Sequence, residues 1–394
     1  MSKGSLGLLS AYWPEDTPRY AHIPLKTIAD VTINPVAASA PDRPAMVSAS
    51  GTLTYGELAE KVRRFAEALR GRCERGTRVA IALADPAELM TAAMGAFEAE
   101  MLAFVSAGEP NARALGAFAP ELIIGTATLA GKESISFAGM LAAPGKERIG
   151  RPDFKTPVLA LSRTYRGGEV LHSHRTLAAT AIAVGAFYML AEDSSIVLLE
   201  PPTAWHTLAL MLGSLHRGGT AWAACGRSPY PRPDRADYVV CSWDGAARFL
   251  EEGTERLLPA RIGAGAIVAI EGPFSLSRRR RLARRFRTPV LTLLGRNDWG
   301  PVVGSHPTWF LDDAAGIPLP NVDTRPLNPA DRTPLSLGWD SVEQAELGVK
   351  SPLAPAGGDV IEGWLQTGIV CEVDPTGLYF LHGAGGALSV VPSP

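Results

Sequence analysis

The chain has 394 residues, 46% hydrophobic and 20% charged, the balance of an ordinary globular protein. A formal net charge of −2 excludes broad electrostatic attraction to nucleic acid or to an anionic membrane surface. Four scattered cysteines (Cys73, Cys225, Cys241 and Cys371), with no Cys-x-x-Cys pair and no His/Cys cluster, argue against a zinc site and for a reduced, cytoplasmic setting. No apolar stretch approaches the roughly 18 residues of a membrane span. The N-terminal segment lacks the charged-then-apolar pattern of a signal peptide.

Residues 1–35 read as an irregular leader with one short strand. From Thr54 to Leu69 the apolar residues Leu58, Val62, Phe65, Ala66 and Leu69 recur at helical spacing, and Thr54 with Glu57 makes a capping box. The apolar run 78–84 suits a buried parallel strand. A helix over 88–100 and strands at 101–107 and 121–125 continue the alternation. A strand at 157–162 leads through a loop to a helix over 174–189. Strand and helix then take turns through 195–200, 207–215, the runs TAWAAC and YVVCS, 246–250, AIVAIE, an arginine-rich helix and 289–294. This rhythm predicts an α/β fold of doubly wound sheets. The basic run Arg278–Arg281 with Arg284, Arg285 and Arg287 reads as a solvated helix face rather than a phosphate or partner patch. After Pro301 short strands and turns take over. The expected division is therefore an α/β core over 1–300 and a β-rich subdomain with a truncated hinge over 301–394.

The order of these pieces resembles the ANL superfamily of adenylate-forming enzymes, which includes acyl- and aryl-CoA synthetases, peptide-synthetase adenylation domains and luciferase. The resemblance runs from about Asn34 to Ala387. It rests on APDRPAMVSASGTLTYGELAEKVRRFAEALR, on GIPLPN followed by AELGVKSP, and on GWLQTGIVCEVDPTGLYFLHG. It implies the large N-terminal domain of that family, with two doubly wound sheets and a small β-rich subdomain. The family's small C-terminal lid, with its catalytic lysine, has no counterpart before Pro394.

The sequence departs from the family where nucleotide is held. In LSRTYRGGEVLHSHRTL (161–177), Arg163, Tyr165 and Arg166 stand where small residues of a phosphate loop are expected, and Glu169 falls where its lysine is expected. A carboxylate there would repel a triphosphate. The family's Tyr-Gly-x-Thr-Glu segment, an aromatic for adenine and a carboxylate for Mg²⁺, reads Leu294-Gly295-Arg296-Asn297-Asp298. Asp298 remains a possible metal ligand. The ribose-binding aspartate of Thr-Gly-Asp aligns with Ile369, and the arginine of Gly-Arg with Ala384. Together these changes argue against binding of ATP and Mg²⁺.

The acid-binding side is better kept. Pro201-Pro202-Thr203-Ala204-Trp205-His206 resembles the segment whose aromatic–His pair lies beside the acyl group. His206 is the candidate general base or oxyanion-side donor, its alternative a structural helix cap. Cys241, Ser242, Trp243 and Asp244 are expected to line the acyl pocket, with Cys241 a candidate nucleophile beside an imidazole or, alternatively, a small buried apolar residue. His172 and His174 take surface or capping roles. Trp299 has two readings, a plug in the nucleotide site or a shelf for a flat aryl group. Arg163 and Arg166 bind a phosphate of CoA or a phosphopantetheine arm, or form solvent-facing ion pairs.

The function expected from the resemblance and its departures is ATP-independent transfer of an aryl group, anthraniloyl- or benzoyl-like, from a CoA thioester to a carrier-protein thiol in a biosynthetic pathway. Asp244 or Asp298 would meet a substrate amine, and no cofactor is required. Two alternatives stand beside it: a non-catalytic partner or scaffold of an active homologue, and an AMP-forming ligase that uses a lid from another chain.

Overall fold

The computed structural model describes residues 13–127, 132–148, 150–162, 168–225, 231–252, 257–272, 274–338, 340–356 and 360–381. The described part of the leader holds helix where a strand was expected. Thr27 caps α1 (Ile28–Thr32) by accepting from the Asp30 N–H, and Pro35 opens α2 (Asn34–Ser39), where its missing N–H has no intrahelical partner to lose. β1 (Pro44–Ser48) and β2 (Gly51–Thr54) form a hairpin. It ends on the capping box: the Glu57 N–H donates to the Thr54 hydroxyl and the Thr54 N–H to the Glu57 carboxylate. A cap of this kind stabilises by about 1 kcal/mol. It starts α3 (Tyr55–Arg72), whose Leu58, Val62, Phe65, Ala66 and Leu69 are buried as the spacing required.

The first α/β half runs β3 (Arg78–Leu83), α4 (Pro86–Glu98), β4 (Leu102–Ala107), α5 (Ala112–Phe118), β5 (Leu122–Gly125), β6 (Glu133–Ile135), α6 (Phe137–Ala142), β7 (Pro157–Ser162) and β8 (Glu169–Ser173). Its sheet has the order β6-β5-β3-β4-β7-β8, parallel except where β8 folds back beside β7. The second half runs α7 (His174–Phe187), β9 (Ser195–Leu198), α8 (Trp205–Arg217), β10 (Thr220–Ala223), β11 (Arg235–Ser242), α9 (Trp243–Glu252), β12 (Arg261–Ile270), α10 (Leu276–Phe286), β13 (Val290–Arg296), β14 (Gly300–Gly304) and β15 (Ile317–Pro318). Among the described residues these strands, with β1 and β2, make a nine-stranded sheet of order β15-β14-β13-β12-β11-β9-β10-β1-β2. A small antiparallel sheet follows, of β16 (Asp323–Leu327), β17 (Val342–Lys350), β18 (Val360–Ile361), β19 (Trp364–Val373) and β20 (Tyr379–Phe380).

The change of sheet falls between residues 318 and 323, not at 300. The Leu294–Val303 pair and its neighbours carry the ladder from β13 into β14, and Val302 and Val303 are buried in the main core. Helices α7 and α8 pack closely because glycines face each other: a Cβ on Gly213 would lie 3.1 Å from the Gly185 nitrogen. The other face of the nine-stranded sheet is covered by α9 and α10, through Phe249, Leu282 and Phe286. The arginine-rich helix is the solvated face expected of it, with one exception. Arg279 is buried and donates to the carbonyls of Val290, Leu311, Asp312 and Ala314 and to the Ser305 hydroxyl.

Candidate functional site

In an open parallel sheet, ligands bind at the carboxyl ends of the strands, where successive connections leave in opposite directions. Here that point lies between β9 and β11. From β9 the chain crosses through α8 to β10 on one side, then returns to β11 on the other and continues outward to β12 and β13. Four of these strands end on a polar residue after an apolar run: Glu200 just beyond β9, Ser242 on β11, Glu271 just beyond β12, and Arg296 on β13. Polar groups thus converge at one edge of the sheet, because parallel strands place their C-termini side by side.

Glu200 and Ser242 span the switch point. The Ser242 N–H and hydroxyl donate to the Glu200 carboxylate at 2.5 and 2.8 Å, and Arg248 approaches it at 3.3 Å. His206 Nε2 lies 3.1 Å from the second carboxylate oxygen. Burial alone would raise the Glu200 pKa, but the His206 bond and charge and the two Ser242 bonds outweigh it and hold the group near 2. An ionised carboxylate only accepts, so His206 Nε2 carries the proton and the second nitrogen, Nδ1, is the basic one in the neutral ring. The helix that carries His206 begins at Ala204, whose methyl side chain cannot accept a hydrogen bond, so among the described residues no N-cap side chain closes the N-terminus of α8.

Trp205 precedes His206, with ring centroids 5.4 Å apart at 78°. The six-membered ring of its indole lies against Gly295. A Cβ there would meet the ring at 2.3 Å, so only glycine allows this packing. The indole Nε1 donates to the Glu271 carboxylate at 3.4 Å. The Glu271 carbonyl accepts from Arg296 Nη2 at 2.7 Å, and Arg296 Nη1 also donates to the Thr367 carbonyl at 3.3 Å. Arg296 therefore ties the end of β13 to the Thr367-Gly368-Ile369 segment of β19. Leu294 and Ile369 are buried beside it.

Several expected site residues lie elsewhere. Cys241 corrects the expectation of a nucleophile. It is fully buried on the opposite face of β11 with Val239, Phe249 and Leu282, and burial pushes its thiol far above the usual range. Trp243 packs edge-on against Phe274 with Arg278 over its ring at 4.9 Å, on the α10 side of the sheet. Asp244 is exposed in the first turn of α9. Trp299 is buried in the main core with the Arg296 guanidinium 5.7 Å from its ring, so it shelves no ligand in this arrangement. Asp298 sits half-buried in the β13–β14 turn, next to Asn297, whose side chain donates to the Ser162 carbonyl. Arg163 and Arg166 lie outside the described residues. Glu169 is paired: Arg78 holds both its oxygens at 2.6 and 2.8 Å, which weakens the argument from repulsion of a triphosphate. His174 is buried where α1 meets α7 and accepts from the Ile28 N–H. A cleft of about 610 Å³ lined by Arg261, Arg284, Arg285 and Arg287 opens at the start of β12, at the far end of the strands from this crevice.

Among the described residues no three His, Cys, Asp or Glu side chains are grouped to hold a metal, and no helix is long and apolar enough to cross a membrane. Sequence reasoning missed Glu200, Glu271 and Arg296. The signal for them was one charged residue closing each apolar strand run.

Residues 34–113 match the family of AMP-binding enzymes. No curated protein matches the sequence. Among solved structures, the N-terminal subdomain of Klebsiella oxytoca NpsA in complex with 3-hydroxyanthranilyl-AMSN superposes with a TM-score of 0.74 at 18% identity, covering 91% of this chain and 99% of that one. An artificially fused adenylation–PCP di-domain, NpsA-ThdA, from the same organism gives 0.74 at 18% identity, over 93% of this chain and 80% of that one. The o-succinylbenzoate CoA synthetase MenE of Bacillus subtilis gives 0.72 at 16%, over 89% and 78%. With that match near its start and these superpositions along almost all of its length, the chain has the fold of the large N-terminal domain of the ANL adenylate-forming enzymes.

Proposed function

We propose that this chain transfers an acyl group, most simply an aryl group, from a CoA thioester to a carrier-protein thiol without ATP. The observation that carries the reading is the Arg296 bridge. It joins the two segments that correspond, by resemblance, to the nucleotide-binding turns of the family, with Leu294 and Ile369 in place of the aromatic and the ribose carboxylate. The carboxylate–imidazole pair at the switch point is complete beside it. A neighbour that is an adenylation domain fused to a PCP domain supports a carrier thiol as acceptor.

In this reading His206 Nδ1 takes the proton of the acceptor thiol. The thiolate sulfur attacks the thioester carbonyl carbon, and the tetrahedral oxyanion is stabilised by the uncapped N-terminus of α8. The bond from carbon to the CoA sulfur breaks, and His206 returns the proton to the departing thiolate. One thioester bond forms as another breaks, so the exchange is nearly isoenergetic and needs no nucleotide. Glu200 holds the imidazole by Nε2 and stabilises its charged form.

The test is intact-mass analysis of a phosphopantetheinylated carrier protein incubated with the chain and benzoyl- or anthraniloyl-CoA. The expected result is a carrier heavier by one acyl group, at the same rate with and without Mg·ATP. Acylation only from the free acid with ATP would restore the ligase, and no acylation from either donor would favour a scaffold.

A further inference from the structure

The arginines of α10 divide along the helix. In its first turn they are engaged within the chain: Arg278 lies over the Trp243 ring at 4.9 Å, Arg279 is buried, and Arg280 pairs with Asp312 at 3.7 Å. Towards its C-terminus Arg284, Arg285 and Arg287 line the cleft of about 610 Å³ at the start of β12, together with Arg261 of that strand. Arg285 already has an interaction within the chain. Arg261, Arg284 and Arg287 are exposed, and among the described residues no carboxylate pairs with them. Asp234, whose carbonyl accepts from the Arg261 N–H, does not line the cleft, and Asp237 pairs with Arg235 at 3.6 Å.

A helix macrodipole favours basic side chains in the last turn, which accounts for Arg284 and Arg285. It does not account for Arg261, which comes from another element, or for the hollow between them. Cations gathered around one hollow repel each other, and an anion from outside relieves that repulsion. The volume is that of a binding cleft, within the usual range of about 300–1,000 Å³. Leu258, Pro259 and Phe286, all buried, supply an apolar lining.

The backbone decides which anion fits. A compact phosphate is commonly held by the free N–H groups at a helix N-terminus. Here the helix end is a C-terminus, and the N–H groups of Arg287 and Thr288 both turn back to the Ala283 carbonyl. Guanidinium groups that enter from two elements around an apolar lining suit carboxylates spaced along a chain. We propose that the cleft binds an acidic segment of a partner protein. Its Asp or Glu carboxylates meet Arg261, Arg284 and Arg287, and an apolar side chain between them packs against Leu258 and Phe286. β12 has 10 residues, so a segment seated at its start lies about 30 Å from Glu271 at its other end. The crevice stays open, and binding at the cleft needs none of the transferase chemistry.

The experiment is fluorescence anisotropy of a labelled decapeptide of glutamates with one central leucine, at low salt, against wild type and two variants. The triple variant Arg261→Gln, Arg284→Gln, Arg287→Gln is expected to bind it about tenfold or more weakly. The double variant Arg280→Gln, Arg281→Gln, which changes the same helix outside the cleft, should stay within about twofold of wild type. Equal loss in both variants, or no binding by wild type, overturns the proposal. So does arginine-dependent binding of pyrophosphate, duplex DNA or phosphatidylglycerol vesicles that is tighter than that of the peptide. Should the triple variant fail to fold, a photoreactive leucine in the peptide decides in wild type. Cross-links within 258–262 or 284–287 support the cleft, and cross-links confined to other segments overturn it.

Discussion

Replacing His206 by alanine is expected to slow acyl transfer to the carrier by about a hundred- to ten-thousandfold, the range for loss of a positioned general base. The fold should survive, because Glu200 keeps its bonds to Ser242 and Arg248. The effect should fall on the transfer step rather than on thioester affinity, since the base acts on the incoming thiol. Glu200→Gln tests the partner: without the carboxylate the imidazolium loses its counter-charge, and the rate of transfer should fall. Cys241→Ala is the control and should transfer within about twofold of wild type, because its thiol is packed in the opposite core layer. Single-turnover rates read by intact mass check all three. A His206→Ala rate near wild type would remove the base from the mechanism.

The second large effect is acid lability. His172, His174 and His306 are pushed down to about 4 from an ordinary 6.5, chiefly by burial. For a base with a depressed native pKa the unfolded chain binds the proton first, so stability is full above 6.5 and declines as pH falls towards 4. Each such group contributes about 1.4 kcal/mol per pH unit to the slope. Three together approach about 4 kcal/mol per unit, against a total stability of about 5–15 kcal/mol. Urea midpoints are therefore expected to fall steeply between pH 6.5 and pH 4.5, with unfolding before pH 4. Glu200 acts in a lower window: its pKa is held near 2 against an ordinary 4.5, so its contribution is lost as pH falls from 4.5 towards 2. Midpoints that stay level from pH 7 to pH 5 would contradict the burial of these histidines as neutral groups.

The alternation of strand and helix was legible because parallel strands buried on both faces read as short apolar runs, and the helix after β2 because its capping box is local. The same property concealed the direction of Cys241. Along β11, Tyr238 and Val240 face α7 and α8, whereas Val239 and Cys241 face α9 and α10. In a strand apolar on both sides, hydrophobicity does not mark which side meets the site. Trp205 and His206 were picked out only through resemblance to a family segment. Glu200 was not, because its role depends on β9 lying beside β11, a pairing across about forty residues that no local pattern encodes. Arg296 was hidden likewise: its partners, the carbonyls of Glu271 and Thr367, come from different sheets and belong to the backbone, which sequence does not distinguish. The division of the chain was placed too early because β14 and β15 are short and turn-rich like the small sheet that follows, yet they extend the large one.

The proposed function has acyl transfer in place of adenylation on this frame. Calorimetric titration of the purified protein with Mg·ATP and, separately, with benzoyl- or anthraniloyl-CoA tests it directly. The expected result is binding of the thioester and no heat from ATP, in keeping with Leu294, Ile369 and the Arg296 bridge. Micromolar binding of Mg·ATP would contradict it and return the chain to the ligases.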